Sequence, residues 1–229
     1  WLLAGILLAD LAALVLTQSR SALLGVLAAG VFVATMRYRR LWGWGLAGVV
    51  LIVALGLGSN YFDRLAVGLR FEDQANLMRL AEYSNALTII GRYPAFGVGF
   101  GTAGQLDLTT GVSSLYLTIA ERTGLPGLAI FLVTMGIFFS IAIPAIAASH
   151  RRAPPPGSAG EQAWSALDST LLGGTAAILG ALVVSVADHF YFNIEFPHMA
   201  ALLWLSAGLT LAARRLLLPE TNTADSESD

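Results

Sequence analysis

Residues 125–147, LPGLAIFLVTMGIFFSIAIPAIA, decide the fold of this chain. The stretch contains no charged side chain and ends just before the basic group His150, Arg151 and Arg152. A helix needs about 20 mostly apolar residues to cross the hydrocarbon core of a bilayer. The stretch therefore predicts a transmembrane helix with positive charge at its end.

The composition of the whole chain agrees with a membrane location. Of its 229 residues, 56% are hydrophobic and only 12% are charged, whereas soluble domains carry about 25% charged residues. Apolar stretches cover most of the length, which a short signal peptide does not explain. The chain begins at Trp1 inside a hydrophobic run, so we expect it to be the C-terminal part of a longer protein.

Charge, cysteine and histidine content exclude several kinds of site. The chain has no cysteine, which rules out disulfides and thiolate metal ligands. Its net charge is −2, and it has no long basic block, so we expect no nucleic-acid partner. The three histidines, His150, His189 and His198, lack metal-binding spacing. We therefore predict no metal site.

Six apolar stretches are candidate spans: residues 1–17, 21–36, 41–57, 125–147, 171–187 and 197–213. Short basic connections stay on the cytoplasmic side of a membrane. With six spans counted, all three basic clusters fall on one side; they are Arg37 with Arg39 and Arg40, His150 with Arg151 and Arg152, and Arg214 with Arg215. We predict an all-α transmembrane bundle over residues 1–218, followed by a disordered cytoplasmic tail, 219–229.

The opposite, extracytoplasmic side would hold one long loop, residues 58–124, and a short loop, residues 188–196. Apolar residues at helical spacing predict a helix over residues 73–90 of the long loop. A second short helix, 113–122, is predicted to lie in the membrane interface before Gly124 turns the chain inward. Between them, the sequence PAFGVGFG at 94–101 predicts a tight backbone turn.

Arginines on this outer side are candidates for binding a charged ligand. Arg20 lies between two apolar runs, so it is either a functional residue or an interfacial anchor. Together with Arg79, it could bind a diphosphate whose lipid tail lies in the bilayer. For Arg64, Arg70 and Arg92 we favour solvated faces, paired with the acidic residues Asp63, Glu72, Asp73 and Glu82.

The loop after residue 187 places titratable groups among aromatic residues. A histidine beside a carboxylate can act as a general base near neutral pH, which makes His189 and Asp188 candidates. The alternative is an aromatic belt with polar tips at the membrane boundary, which we favour for Tyr191 and Phe192. For Asp188 and His189 both interpretations stay open.

The motifs, taken together and in order, resemble the O-antigen ligase and O-antigen polymerase family of bacterial membrane glycosyltransferases. Four pieces carry the resemblance: TQSRSA at 17–22; Arg79 with a helix leading to PAFGVGFG at 94–101; YLTIAERTGLPG at 116–127; and the aromatic loop beginning at Asp188 and His189. Together they extend over most of the chain.

The resemblance implies transfer of a glycan from a polyprenyl (undecaprenyl) diphosphate carrier to the hydroxyl of a saccharide or glycolipid acceptor. The reaction would take place at the outer face of the bacterial plasma membrane, without a metal or other cofactor. The family bundle has about a dozen transmembrane helices, so this chain would be its C-terminal half. Arginines hold the carrier diphosphate, and the matching positions are Arg20 and Arg79. Further substrate-binding candidates lie in the matching motifs: Ser19, Tyr116, Glu121 and Arg122.

One departure from the family concerns the acceptor. Ligases of the family usually have a His-Asn pair just before the Tyr-Leu step, and the corresponding residues here are Ser113 and Ser114. A serine hydroxyl is not an unassisted base at neutral pH. The remaining candidates for the base are His189, Asp188 and Glu121, with His189 as the first choice.

Two other functions compete with the enzyme. A transporter or flippase of lipid-linked sugars would need ionisable residues at mid-membrane, which we do not expect in the six spans. A non-catalytic relative would bind such lipids without turnover.

Overall fold

The computed structural model describes residues 1–17, 19–40, 42–43, 45, 74–100, 112–192 and 197–219. Within these ranges the chain is helical and has no strand, which confirms the all-α prediction. The helices are α1 (Leu2–Thr17), α2 (Arg20–Met36), α3 (Gln74–Arg92), α4 (Leu115–Arg151), α5 (Glu161–Val184) and α6 (Pro197–Leu217). A short 3-10 turn, Phe190–Phe192, lies between α5 and α6.

Three of the described helices are long and apolar enough to cross a membrane, namely α4, α5 and α6. Helices α1 and α2 are apolar but shorter, with 16 and 17 residues. Most of the predicted span 41–57 and nearly all of the predicted tail 219–229 lie outside the described residues. The structure thus supports a polytopic membrane protein, and the predicted count of six spans stays a prediction.

One expectation about the spans is wrong. Asp10 lies in the middle of α1, so the first predicted span does contain an ionisable residue. The absence of such residues therefore cannot be used to exclude a transporter.

Helix boundaries follow from local chemistry. Ser19 precedes α2 in an extended conformation, and its hydroxyl oxygen accepts a bond of 3.3 Å from the Ala22 amide, as an N-cap does. Helix α4 is interrupted at Gly124, whose φ of 77° and ψ of 179° are not helical. Pro126 follows within the next turn, where a missing N–H is tolerated. The predicted short helix and the turn at Gly124 are both present.

Helix α5 lies at the centre of the packing and contacts α2, α4 and α6. It approaches α2 closely, because a Cβ on Gly180 would lie 2.8 Å from the Gly25 carbonyl oxygen. Glycines at such crossings let helix backbones approach and gain van der Waals contact. The buried apolar cluster around α5 includes Phe32, Met135, Phe138, Ile146, Leu171, Ile178, Leu203 and Leu217.

Three polar side chains join α2, α4 and α5 at one end. The Arg37 guanidinium donates to both oxygens of Asp168, at 2.6 and 2.9 Å, and the Ser149 hydroxyl donates to Asp168 Oδ1 at 2.6 Å. The Arg37 and Asp168 side chains are only 13% and 12% exposed. A bidentate pair of this kind is both strong and directional.

The same end of the bundle carries the basic clusters. Arg39 and Arg40 follow Arg37, and His150 follows Ser149. Helix α6 runs antiparallel to α5, with Thr210 beside Gly174, so Arg214 and Arg215 lie there too. We call this the basic end. The opposite end, formed by the starts of α2, α4 and α6 and the end of α5, is the loop end.

Removing the Asp168 carboxylate should weaken the fold. In Asp168→Ala, the Arg37 guanidinium keeps its mostly buried position without a carboxylate partner. This should lower the free energy of unfolding by about 3 kcal/mol. Ser149→Ala removes one hydrogen bond and should cost about 1 kcal/mol. The measurement is thermal unfolding of the detergent-purified protein, followed by tryptophan fluorescence.

Ser140→Ala is the matched control, because Ser140 is an exposed serine of α4 that bonds only its own helix. The double variant Arg37→Met with Asp168→Leu should recover most of the loss, since apolar pairs often replace buried ion pairs. Equal midpoints for Ser149→Ala and Ser140→Ala would refute the expected role of the Ser149 bond.

Candidate functional site

The loop end brings together the segments in which the sequence placed its candidate residues. The Leu115 amide donates to the carbonyl oxygens of Ser185, at 2.9 Å, and Asp188, at 3.0 Å. These bonds tie the start of α4 to the end of α5. Gly25 packs against Gly180 and the Val184 side chain, which brings the start of α2 to the same end.

Tyr83 holds α3 across this end. Its hydroxyl lies 3.2 Å from the Ser113 carbonyl oxygen and 3.1 Å from the Val186 carbonyl oxygen. Burial raises the pKa of the Tyr83 phenol; the nearby Arg79 opposes this shift and Glu82 adds to it. The phenol therefore keeps its proton at neutral pH and donates it to these carbonyls.

Arg79 lies on α3, one helical turn before Tyr83, and its side chain is exposed. Residues four apart share a helix face, so Arg79 faces the same side as the tyrosine that contacts residues 113 and 186. The structure thus places Arg79 at the loop end.

Arg20 is the first residue of α2 and follows the N-cap Ser19. The start of a helix carries unpaired amides and a partial positive charge, which favours anions such as phosphate. The Ser19 hydroxyl also lies 3.3 Å from the Ser21 hydroxyl. The predicted diphosphate residues Arg20 and Arg79 therefore belong to two helices that both reach the loop end.

Glu82 also lies at the loop end, although the sequence does not predict it as a site residue. Its Oε2 accepts the Ser113 amide at 3.0 Å and the Ser113 hydroxyl at 2.7 Å. The sequence alone predicts Glu82 only as a partner for surface arginines. A usable signal was present, because Glu82 follows Arg79 by three residues on a helix and therefore shares its face.

Three other predicted substrate-binding residues have structural partners. The Tyr116 hydroxyl donates to the Leu182 carbonyl oxygen at 2.9 Å. Arg122 Nη1 donates to the Gly99 carbonyl oxygen at 3.2 Å. Glu121 is only 1% exposed. These contacts fix the first part of α4 to α5 and to the glycine turn, and a contact of any of the three with substrate stays a prediction.

The predicted turn at residues 94–101 is confirmed for its described part. Gly97 and Gly99 have φ values of +63° and +75°, which favour glycine. The turn packs on α4 through the Val98 and Gly99 amides, which donate to the carbonyl oxygens of Glu121 and Arg122 at 2.8 and 2.9 Å. A Cβ on Gly124 would lie 2.6 Å from the Ala95 carbonyl oxygen, so glycine is required there as well.

Asp188 and His189 lie between α5 and the 3-10 turn. Asp188 Oδ1 accepts the Phe190 amide at 3.0 Å, and the His189 carbonyl oxygen accepts the Phe192 amide at 2.9 Å. Phe192 contacts Phe100 with ring centroids 6.0 Å apart, which joins this loop to the glycine turn. The Asp188 carboxylate thus has a structural bond, and the catalytic roles of both residues stay predictions.

Most of these features lie in a region of the chain that matches a known protein family. A family model described as O-antigen ligase matches residues 4–132, which extends from α1 into α4. The matched region contains Ser19, Arg20, Arg79, Glu82 and Ser113, and it ends before Asp188 and His189. Searches of curated proteins and of solved structures found no significant match.

Substitutions in the glycine turn should separate backbone strain from steric collision. Gly99→Ala has open space around the new methyl group, so it should cost only the left-handed conformation, about 1–2 kcal/mol. Gly97→Ala has a similar φ, but its methyl group would also collide with the backbone of Glu121 and Arg122. We expect a clearly lower unfolding midpoint and faster proteolysis of the turn for Gly97→Ala.

Gly99→Ala is itself the control for strain. Thermal unfolding and limited proteolysis in detergent would be measured on both variants. Indistinguishable behaviour of the two would mean that the packing of the turn on α4 contributes little to stability.

Proposed function

Because the chain belongs to the O-antigen ligase family, we propose that it transfers a glycan from a polyprenyl diphosphate carrier, such as undecaprenyl diphosphate, to an acceptor hydroxyl. The acceptor would be a saccharide or glycolipid of the bacterial surface. The observation that carries the proposal is the arrangement at the loop end, where α3 and the start of α4 bond the segment after α5, and where α2 packs on the last turns of α5.

The donor site of the proposed enzyme combines Arg20 with Arg79. A diphosphate leaves readily once its negative charge is neutralised, and guanidinium groups bind its oxygens in a bidentate manner. The start of α2 adds its partial positive charge to the same position. Because the carrier is a lipid, its headgroup would lie at the membrane boundary, and the proposed function assigns the loop end to that boundary as well.

The proposed reaction depends on the charge of the leaving diphosphate and on the relative position of the two substrates. The acceptor oxygen attacks the anomeric carbon as the carbon–oxygen bond to the diphosphate breaks, which inverts the configuration of that carbon. Electrostatic stabilisation of the leaving diphosphate and alignment of the two substrates supply most of the rate. The acceptor proton must go to a base at the loop end.

We assign the orientation of the chain in the membrane from the charge of its basic end. Arginine-rich short connections stay in the cytoplasm, and the basic end carries three such clusters. The loop end would then face away from the cytoplasm, and the site would act at the outer face of the bacterial inner membrane. A transporter or flippase of the same lipids is the alternative, and Asp10 in the middle of α1 is the feature that favours it.

The test is in vitro transfer by the full-length protein from a panel of polyprenyl-diphosphate-linked oligosaccharides, with a metal chelator present. Arg20→Ala and Arg79→Ala should each lower kcat by roughly 10²-fold or more, the loss typical of removing one group that stabilises charge in the transition state. The product should carry the inverted anomeric configuration.

Arg92→Ala is the matched control, because Arg92 is an exposed arginine of the same helix as Arg79. It should keep its activity. Failure of the wild type to turn over any donor, combined with movement of the lipid between leaflets of a vesicle, would replace the enzyme with a transporter. Turnover that is insensitive to both arginine substitutions would contradict the proposed donor site.

A further inference from the structure

Among the described residues, Ser113 bonds the Glu82 carboxylate, and it bonds only one of the two carboxylate oxygens. Both donors of Ser113, the amide and the hydroxyl, bind the same oxygen, Oε2. Oε1 accepts no hydrogen bond from any residue that the structure describes, and the side chain is half-buried. The arrangement fixes the direction of the carboxylate and leaves one oxygen for another partner.

Ser113 is itself fixed from a second direction. Its carbonyl oxygen lies 3.2 Å from the Tyr83 hydroxyl, so α3 reaches this residue through both Glu82 and Tyr83. Ser113 lies just before α4, whose first amide is bound to Ser185 and Asp188. A carboxylate supported in this way loses little freedom when a substrate arrives, which is the condition for efficient proton transfer.

Glu82 and Arg79 are neighbours on α3, but their side chains do not form an ion pair with each other. The two residues are three apart on α3, where Cβ atoms lie about 5–6 Å from each other. No ion pair joins their side chains within the part of the chain that the structure describes. Arg79 is therefore available to a leaving diphosphate. The Glu82 carboxylate, a potential base, lies beside it on the same face of α3.

We propose that Glu82 is the general base of the transfer and that Ser113 is its positioning residue; this rests on the proposed function. The acceptor hydroxyl gives its proton to Glu82 Oε1 while its oxygen forms a bond to the anomeric carbon. The bond from that carbon to the diphosphate oxygen breaks, and the electron pair leaves with the diphosphate. Inverting glycosidases use a carboxylate in the same way to activate a nucleophile.

The other candidate bases are less well placed. Asp188 uses Oδ1 to hold the Phe190 amide. Glu121 is 1% exposed, which leaves almost no surface for an acceptor. His189 lies in the segment after α5, outside the region that matches the family model, whereas Glu82 and Ser113 lie within it. The serine in place of the family's histidine thus has a role, which is to orient a carboxylate.

Glu82→Gln tests the base with little change of shape. Glutamine keeps an oxygen that accepts both Ser113 bonds but cannot take a proton. With a donor that the full-length wild type turns over, kcat should fall at least about 10²-fold while KM for the donor changes little. Ser113→Ala should lower kcat by a smaller factor and leave KM for the donor unchanged.

The control for a glutamate that only accepts a backbone bond is Glu161→Gln. Glu161 Oε2 accepts the Gly157 amide at 2.6 Å near the basic end, and this variant should keep wild-type activity. The decisive readout is rescue by sodium azide, an anionic nucleophile that needs no deprotonation. Azide should restore donor consumption in Glu82→Gln, with a glycosyl azide as product, and should not rescue Arg79→Ala.

Each outcome bears on a defined claim. Glu82→Gln with wild-type kcat overturns the assignment of the base and leaves the proposed function intact. Azide rescue of His189→Gln in place of Glu82→Gln also overturns it, because the base is then His189. Absence of turnover by the wild type with every donor overturns the proposed function and, with it, this assignment.

Discussion

The bidentate bond between Arg37 and Asp168, completed by Ser149, is the interaction on which the rest of the helix arrangement depends. It joins the end of α2, the end of α4 and the first half of α5 at the basic end. A helix crossing built on glycine, such as Gly25 against Gly180, permits close approach but does not itself fix how far one helix slides along the other. A bidentate pair does, because its two bonds tolerate little displacement. The position of the α2 start at the loop end is thus set from the far end of the helix.

The loop end is assembled differently, mainly through backbone groups. The Leu115 amide bonds two carbonyls of the segment after α5, Tyr83 bonds carbonyls of residues 113 and 186, and the glycine turn bonds carbonyls of α4. Buried backbone groups of this kind must be satisfied, since unpaired backbone polar groups are costly in an apolar environment. Because these hydrogen bonds join different helices, they also hold the polar side chains of the loop end in place.

Sequence reasoning succeeded where the signal is local. Apolar length predicted the helices from residue 115 onwards, glycines predicted the turn at 94–101, and arginines between apolar runs pointed to the loop end. It failed where the partner is distant in the chain. Arg37 and Asp168 are 131 residues apart, and Glu82 and Ser113 are 31 apart. No periodicity connects such pairs, because each member is compatible with an ordinary exposed helix position. Asp10 was missed for a different reason, since one charge hardly changes the hydropathy of an apolar run.

The contact between Glu82 and Ser113 also bears on the arginine beside it. A glutamate three residues after an arginine on an exposed helix face would ordinarily form an ion pair with it, worth a few tenths of a kcal/mol. Two donors of Ser113 satisfy Glu82 instead, and within the described part of the chain the arginine has no carboxylate partner. An anionic ligand then meets a cation that does not first have to release a side chain.

The negative charge of Glu82 would oppose a diphosphate at the same place, but its attachment to Ser113 directs it toward the start of α4. One serine thus separates a cation and an anion that lie side by side on the same helix, and the proposed displacement, with its charged leaving group and neutral nucleophile, would use both of them.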